Sequence, residues 1–385
     1  MEIKNLGRLA KRIRKAIDGK EHIILYGDSD LDGVTSVLIL REAIRNLGGE
    51  VAAMYFPDRE QEGYGITRKA LQVLADYSPA LLIAMDLGIS NFEEIDIANE
   101  KGFEVLLIDH HQVLGKLPAA AVIVDPKQKG EKYPFRAFAA CGLTFRVAEK
   151  MLDKDATPPM RKSLVELAAL GTIADMMPRE EDNVQIIEEG LSSIENSWRP
   201  GIQVFFNTPS VAAALSLQEK ISQMISVLNV RDVKDGLPAA FRFFTAITQE
   251  EAQALLSRLW EINKVRQDNI RAFVEEVEER IKRRKDDLMI FEGGTNIDYV
   301  LLGAAASILS NRHKKPVFLY KDKGEEGLGS VRAPSGYDTV KAMAESAEIL
   351  LSYGGHAQAS GFRLKTENIE EFKKRLAKHF RENHP

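Results

Sequence analysis

Three aspartates at alternate positions, Asp28, Asp30 and Asp32, stand immediately before Gly33 in the stretch LYGDSDLDGVTSVLIL (residues 25–40). Carboxylates this close repel one another unless a cation or a proton intervenes. The first chemistry to test is a calcium loop of the EF-hand type. Its D-x-D-x-D-G pattern requires a bidentate glutamate at the twelfth position. Counted from Asp28, that position is Ile39, and the preceding HIILYG is a short apolar run that reads as a buried strand rather than a helix. The EF-hand reading fails on both counts, and an acidic solvated turn stays open on this stretch alone. Two further polar groups end apolar runs in the same way: Asp86 in MDLG, and Asp109, His110 and His111 in LIDHH.

The elements that must position these residues follow from the hydrophobic pattern. HIILYG (22–27), EVAAMYFP (50–57), ALLIAMDLG (80–88), FEVLLIDHH (103–111) and AAVIVDP (120–126) read as strands, and a helix is expected from about Gly33 to Asn46. TRKALQVLADY, NFEEIDIANEKG, FAACGLTFRVAEKML and RKSLVELAALGTIADMM read as further helices. Near-continuous apolar strands alternating with helices specify an α/β fold with a parallel sheet covered on both faces. In such a sheet the carboxyl ends of the strands share one edge, where ligands bind. Asp28, Asp86, Asp109, His110 and His111 therefore converge. Divalent cations would relieve their repulsion. A carboxylate and imidazole set without thiolate suits Mn²⁺, with Mg²⁺ and Zn²⁺ as alternatives. An aspartate shared by two close ions gives the two-metal arrangement used for phosphoester cleavage.

Composition narrows the function classes. The 57 acidic residues outnumber the 52 basic ones, for a net charge of −5, so the chain is no basic nucleic-acid coat. A single cysteine, Cys141, excludes an internal disulfide framework and a cysteine-rich zinc site, and fits a reducing, cytoplasmic setting. The first residues, MEIKNLGRLAKRIRKAI, read as a basic amphipathic helix packed on the domain, with no signal-peptide core after it. No apolar run reaches transmembrane length, so no membrane association is expected. Residues 195–250 mix helix and loop, and 249–286 form one long helix pattern. A smaller α/β block runs from LMIFEGG to about FRLKT, before a terminal helix at 367–380.

DSDLDGVTS, MDLGIS, IDHH and ALGTIADMMP, in that order, resemble the four motifs of the DHH phosphoesterase superfamily, and more narrowly its RecJ branch. Many other DHH families carry a histidine at the first acidic position, where this chain has Asp28, as RecJ does. PDREQEGYGIT (57–67) resembles the RecJ segment between the first two motifs. LGSVRAPSGYDTVKAM and LLSYGGHAQASGFRL resemble the associated C-terminal substrate domain. The resemblance implies a DHH catalytic domain over 1–190, a helical linker region with a long connecting helix over 191–286, and a substrate-binding domain over 287–385. It implies two Mn²⁺ ions, or Mg²⁺ in their place. Asp30 and Asp86 would hold the first, with Asp28 beside it; Asp32, Asp86, His110 and Asp175 would hold the second, making Asp86 the bridge. Asp109 is expected behind the metals, supporting the histidines, with His111 at the substrate phosphate or the attacking water. Arg59 is a candidate phosphate contact. Arg332 and His356 would grip the substrate strand, Gly354 and Gly355 would let a phosphate approach the backbone, and Ser307 is a further candidate.

Two departures from RecJ bear on function. The 385 residues leave no room for the oligonucleotide-binding barrel of long bacterial RecJ proteins, so a short form is expected, with processive degradation of long strands in question. VLNVRDVKDGLPAAFRFF also lacks the glycine- and arginine-rich character of RecJ in that region. The leading expectation is a Mn²⁺-dependent exonuclease on single-stranded DNA or RNA. The alternatives are a phosphodiesterase for short oligonucleotides, dinucleotides or phosphoadenosine phosphate, and a non-catalytic replication scaffold tied, as some short relatives are, to GINS or other replication and repair proteins.

Overall fold

The five apolar runs become five strands: β1 (His22–Gly27), β2 (Ala53–Tyr55), β3 (Ala80–Met85), β4 (Phe103–Ile108) and β5 (Val122–Val124). All pair in parallel in the order β2-β1-β3-β4-β5. The strands stop earlier than the apolar pattern does. β3 ends at Met85 and β4 at Ile108, with the N–H groups of Asp86 and Asp109 making the last bonds to the neighbouring strands, at the Ile108 and Val124 carbonyls. The computed structural model describes residues 1–59, 61–113, 115–213, 216–282 and 287–383. It has two compact units, Met1–Glu261 and Ile262–Pro385.

In the first unit, α1 (Leu6–Asp18), α2 (Leu31–Asn46), α3 (Arg68–Val73), α4 (Phe92–Glu100), α5 (Ala140–Leu152), α6 (Pro158–Ala174) and α7 (Glu181–Leu191) surround the sheet. Every residue of β3 is buried, as a strand covered on both faces requires. Ile24, Leu82 and Leu107 on one face share a core with Leu71 of α3 and Ile95 of α4. The other face carries α2, which is buried nearly all round between the sheet and α5 and α6. The basic first helix docks on the domain: Leu6, Leu9, Ala10, Ile13 and Ala16 are buried, and Arg12 pairs with Glu21 and Glu104 at 2.6 and 2.7 Å. The region that mixes helix and loop holds α8 (Pro200–Asn207), α9 (Pro209–Ala212), α10 (Leu217–Leu228), a hairpin of β6 (Val233–Lys234) and β7 (Leu237–Pro238), and α11 (Ala239–Thr245). α10 begins with a reciprocal Ser216–Glu219 capping box. The long helix is α12 (Gln249–Ile281), and the expected continuation over 283–286 lies outside the described residues.

The second unit contains β8 (Ile290–Gly294), α13 (Tyr299–His313), β9 (Val317–Asp322), β10 (Glu326–Arg332), α14 (Thr339–Ala344), β11 (Leu350–His356), β12 (Ala359–Lys365) and α15 (Ile369–Glu382). Its sheet runs β11-β12-β10-β9-β8, parallel at β8–β9 and antiparallel elsewhere. Val317 and Leu319 pack against Leu302 and Leu309 of α13 and Val274 of α12. On the opposite face Val331 and Phe362 pack against Phe372 and Phe380 of α15. Among the described residues, no helix is long and apolar enough to cross a membrane.

Candidate active site

The three alternating aspartates do three different things. Asp28 leaves the end of β1 and is almost fully buried. Asp30 is the N-cap of α2, and its Oδ1 accepts the Gly33 N–H at 3.1 Å, so the helix starts at Leu31 rather than Gly33. Asp32 lies in the first turn of α2 and reaches α5, where its two oxygens accept the N–H groups of Ala140 (2.8 Å) and Cys141 (2.7 Å). It thereby satisfies two backbone donors at the start of that helix. The glycine after the aspartates has a steric cause: a Cβ on Gly33 would lie 2.4–2.7 Å from the backbone of Asp28. Gly33→Ala should therefore push Asp28 away and cost about 1–3 kcal/mol of stability, as overpacking does, measurable by denaturant unfolding. An unchanged midpoint would show that the turn can yield.

Asp86 is the first residue beyond β3 and has φ +64°, a left-handed conformation that aspartate tolerates better than most side chains. Asp109, fully buried beyond β4, accepts four donors: the N–H groups of Ile89 (2.9 Å), His110 (2.7 Å) and His111 (3.1 Å), and Nδ1 of His111 (2.8 Å). Its oxygens are committed to shaping the loop and holding His111. His110 turns Nε2 to three carboxylates, Asp86 at 3.2 Å, Asp175 at 3.5 Å and Asp32 at 3.8 Å. Asp175 arrives as the C-cap of α6, followed by Met176 at φ +57°.

The carboxylates sort into two groups. Asp28, Asp30 and Asp86 each offer an oxygen within 4.8 Å of the others, and Asp32, His110 and Asp175 do the same with their donor atoms. Asp86 belongs to the first group and touches the second through His110. The crowding is electrostatically costly. Burial, then repulsion by Asp32, Asp30, Asp28 and Asp175, raises the Asp86 carboxyl well above the usual range. Burial and Asp32 do the same to Asp175, and burial with Asp30 pushes Asp32 up to about 6. Burial would also raise Asp109, but His111 and the backbone N–H groups outweigh it and hold it low. Burial disfavours a charge on His111, but Asp109 more than compensates and raises it to about 9. Oxygen and imidazole donors in two adjacent groups, each crowded with negative charge, fit a pair of hard divalent cations.

Arg59 lies at this edge too, with Nε on Asp28 Oδ1 (2.7 Å), Nη2 on Asp28 Oδ2, and Nη2 on Asp30 Oδ2 (2.7 Å). Sequence reasoning named no role for Tyr64 or Lys127. The Tyr64 hydroxyl donates to the Asp86 carbonyl at 3.1 Å and lies 3.3 Å from His111 Nε2, and Lys127 Nζ donates to the His110 carbonyl. Tyr64 sits inside the EGYG segment already singled out, so the signal was there. Lys127 follows a strand as an ordinary lysine, and no pattern marks it.

The second unit assembles its own polar row. Arg332 of β10 and His356 of β11 are both in register with Ala359 of β12, so they flank a small side chain on one face. The next row on that face is Ser330, Gly361 and Gly354. A Cβ on Gly354 would meet nothing within 4 Å, whereas one on Gly355, at φ +122°, would lie 2.6 Å from the Ala359 carbonyl. Gly354 thus leaves an open floor, and Gly355 permits close strand packing. Gly303 of α13 gives Arg332 room, with its Cβ position 3.2 Å from Nη2, and Ser307 follows one turn later on that helix.

Residues 22–172 match the model of the DHH family, N-terminal domain, and residues 286–382 match the DHHA1 domain. The single-stranded-DNA-specific exonuclease RecJ of Bacillus subtilis (strain 168) is 31% identical over 97% of this chain, which spans 48% of that protein. A crystal structure of exonuclease RecJ bound to manganese aligns at 27% identity with TM-score 0.78, covering 98% of this chain and 95% of the other. RecJ of Thermus thermophilus in complex with Mn²⁺ aligns at 25% identity with TM-score 0.85, covering 99% of this chain and 55% of the other. The chain therefore spans about half the length of these longer relatives.

Proposed function

The chain belongs to the DHH family, in its RecJ-like branch, and from that premise we propose that it is a divalent-metal-dependent phosphodiesterase that removes nucleotides from single-stranded nucleic acid. The observation that carries this reading is the pair of donor groups at the carboxyl edge of the parallel sheet, joined by Asp86. Asp28, Asp30 and Asp86 would hold one ion, and Asp32, Asp86, His110 and Asp175 the other, with Mn²⁺ the first choice and Mg²⁺ the alternative. Bound there, the ions would supply the Lewis acidity that phosphodiester hydrolysis needs.

The chain's own groups do the rest. Asp109 holds His111 through Nδ1 and favours its protonated form, which orients the imidazole to give or take a proton beside the reacting phosphate. Tyr64 limits the freedom of His111 from the other side. Arg332 and His356 stand on either side of a floor of glycine and alanine, where they would donate to a strand phosphate. Arg332→Ala is expected to raise KM about 10- to 100-fold, the scale of one lost charged hydrogen bond, with Mn²⁺ affinity unchanged. An unchanged KM would remove Arg332 from the substrate grip.

The deciding experiment incubates the protein with Mn²⁺ and end-labelled single strands of DNA and RNA, from two to about forty nucleotides, and resolves the products over time. Progressive shortening of long strands establishes the exonuclease. Cleavage confined to the shortest substrates assigns an oligonucleotide phosphodiesterase instead, and no cleavage of any strand refutes the proposal.

A further inference from the structure

Arg59 occupies an unexpected place for a phosphate contact. Its guanidinium holds both oxygens of Asp28 and one of Asp30, two of the three residues of the first donor group. The second group is treated differently. Among the described residues, no lysine or arginine is in ion-pair contact with Asp32 or Asp175; His110 is their contacting partner, and His111 and Lys127 act on Asp175 only through their field. An arginine cannot shed its charge by deprotonation, so the first group gives up this cation only through competition.

We propose that Arg59 is the resident counter-cation of the Asp28–Asp30–Asp86 group, that a divalent ion entering this group displaces it, and that the Asp32–His110–Asp175 group consequently loads first. The inference rests on reading both groups as cation sites. The local structure suits an exchange made by the side chain alone. Asp58, the neighbouring residue, is clamped by Arg231 at 2.7 and 3.0 Å, which anchors the backbone. The Arg59 guanidinium lies 5.4 Å from the centroid of the Tyr64 ring, and Tyr64 is itself tied to the Asp86 carbonyl. An arginine released from the carboxylates keeps this aromatic support, and its planar donors are then free for a substrate phosphate. Filling of the first group would thus arm the phosphate contact, and the enzyme would grip substrate only when both ions are in place.

The test is a Mn²⁺ titration of metal-free protein by calorimetry and electron paramagnetic resonance, which needs no turnover. Wild type should bind in two steps, and the spin-coupled signal of a close pair should appear only in the second. In Arg59→Gln the weaker step should tighten by about tenfold or more, the scale of the charged hydrogen bonds removed, while the tighter step stays put. The coupled signal should then appear at correspondingly lower Mn²⁺, and Arg59→Lys, which keeps the charge without the fork, should fall between. Asp30→Asn should weaken the second step and Asp32→Asn the first. Two-step isotherms identical in wild type and Arg59→Gln would overturn the role of Arg59 and leave the cation sites standing. Loss of the tighter step in Arg59→Gln would overturn the order of loading. Failure of wild type to bind Mn²⁺ at all would overturn the cation reading, and this inference with it.

Discussion

Asp86→Asn should lower the turnover of single-stranded substrate by about three to five orders of magnitude, with the fold intact. Asp86 is the one carboxylate that belongs to the first donor group and also contacts His110 of the second. Losing its charge weakens both ion sites together, whereas a change at Asp30 or Asp175 touches one. Asparagine is the instructive replacement because residue 86 sits at φ +64°. Asparagine accepts this left-handed conformation, while alanine would add backbone strain to the lost carboxylate. Relief of repulsion among buried carboxyls should also leave the metal-free variant at least as stable as wild type. The check is single-turnover kinetics beside thermal unfolding. A rate within tenfold of wild type would rule out Asp86 as the bridge, and a collapse of stability would make the variant uninformative about chemistry and refute the stability claim.

Mn²⁺ should raise the unfolding temperature of the Met1–Glu261 unit, and more at pH 8 than at pH 5.5. Folding raises the carboxyls of Asp86 and Asp175 well above the usual range and that of Asp32 to about 6, chiefly by burial and then by their neighbours' charge. A carboxyl raised in this way binds its proton more tightly in the folded state. Its contribution is fully present below the unfolded value of about 4 and is lost as pH rises through the folded one. Asp30 and Asp109 are shifted down, so their contribution changes only at lower pH and stays constant across this window. The metal-free site is therefore most frustrated at pH 8, where ions also meet the least competition from protons. Each ion at a hundred times its Kd contributes about 2.7 kcal/mol, so two should raise the midpoint by roughly 10 °C. At pH 5.5 the rise should be less than half of that. Equal shifts at the two pH values would mean that these carboxyls are not what the ions bind.

Much of this site was legible in the sequence because a parallel sheet fixes where strand ends go. Once HIILYG, ALLIAM and FEVLLI are strands, Asp28, Asp86 and the Asp109–His111 run must share an edge, whatever their distance in the chain. The period and composition of the apolar runs also determined the α/β class and the smaller second unit. Local chemistry did the same for Gly33, whose need is set within a few residues of the motif it closes.

The tertiary structure decided how alike residue types divide their work. Asp28, Asp30 and Asp32 are indistinguishable as letters. Asp28 gives both oxygens to Arg59, Asp30 caps its own helix while sharing that arginine, and Asp32 binds the start of a helix more than a hundred residues away. Asp109, beside two histidines, has its oxygens taken by four donors, and a C-cap at Asp175 brings a distant carboxylate to His110. Arg59, read as a phosphate contact, is held by carboxylates, and Lys127 reaches the site with no motif to announce it. Pattern records the period of burial, which is a property of the backbone. Which donor meets which acceptor depends on side chains brought together from separate elements, and that is settled only when the elements pack.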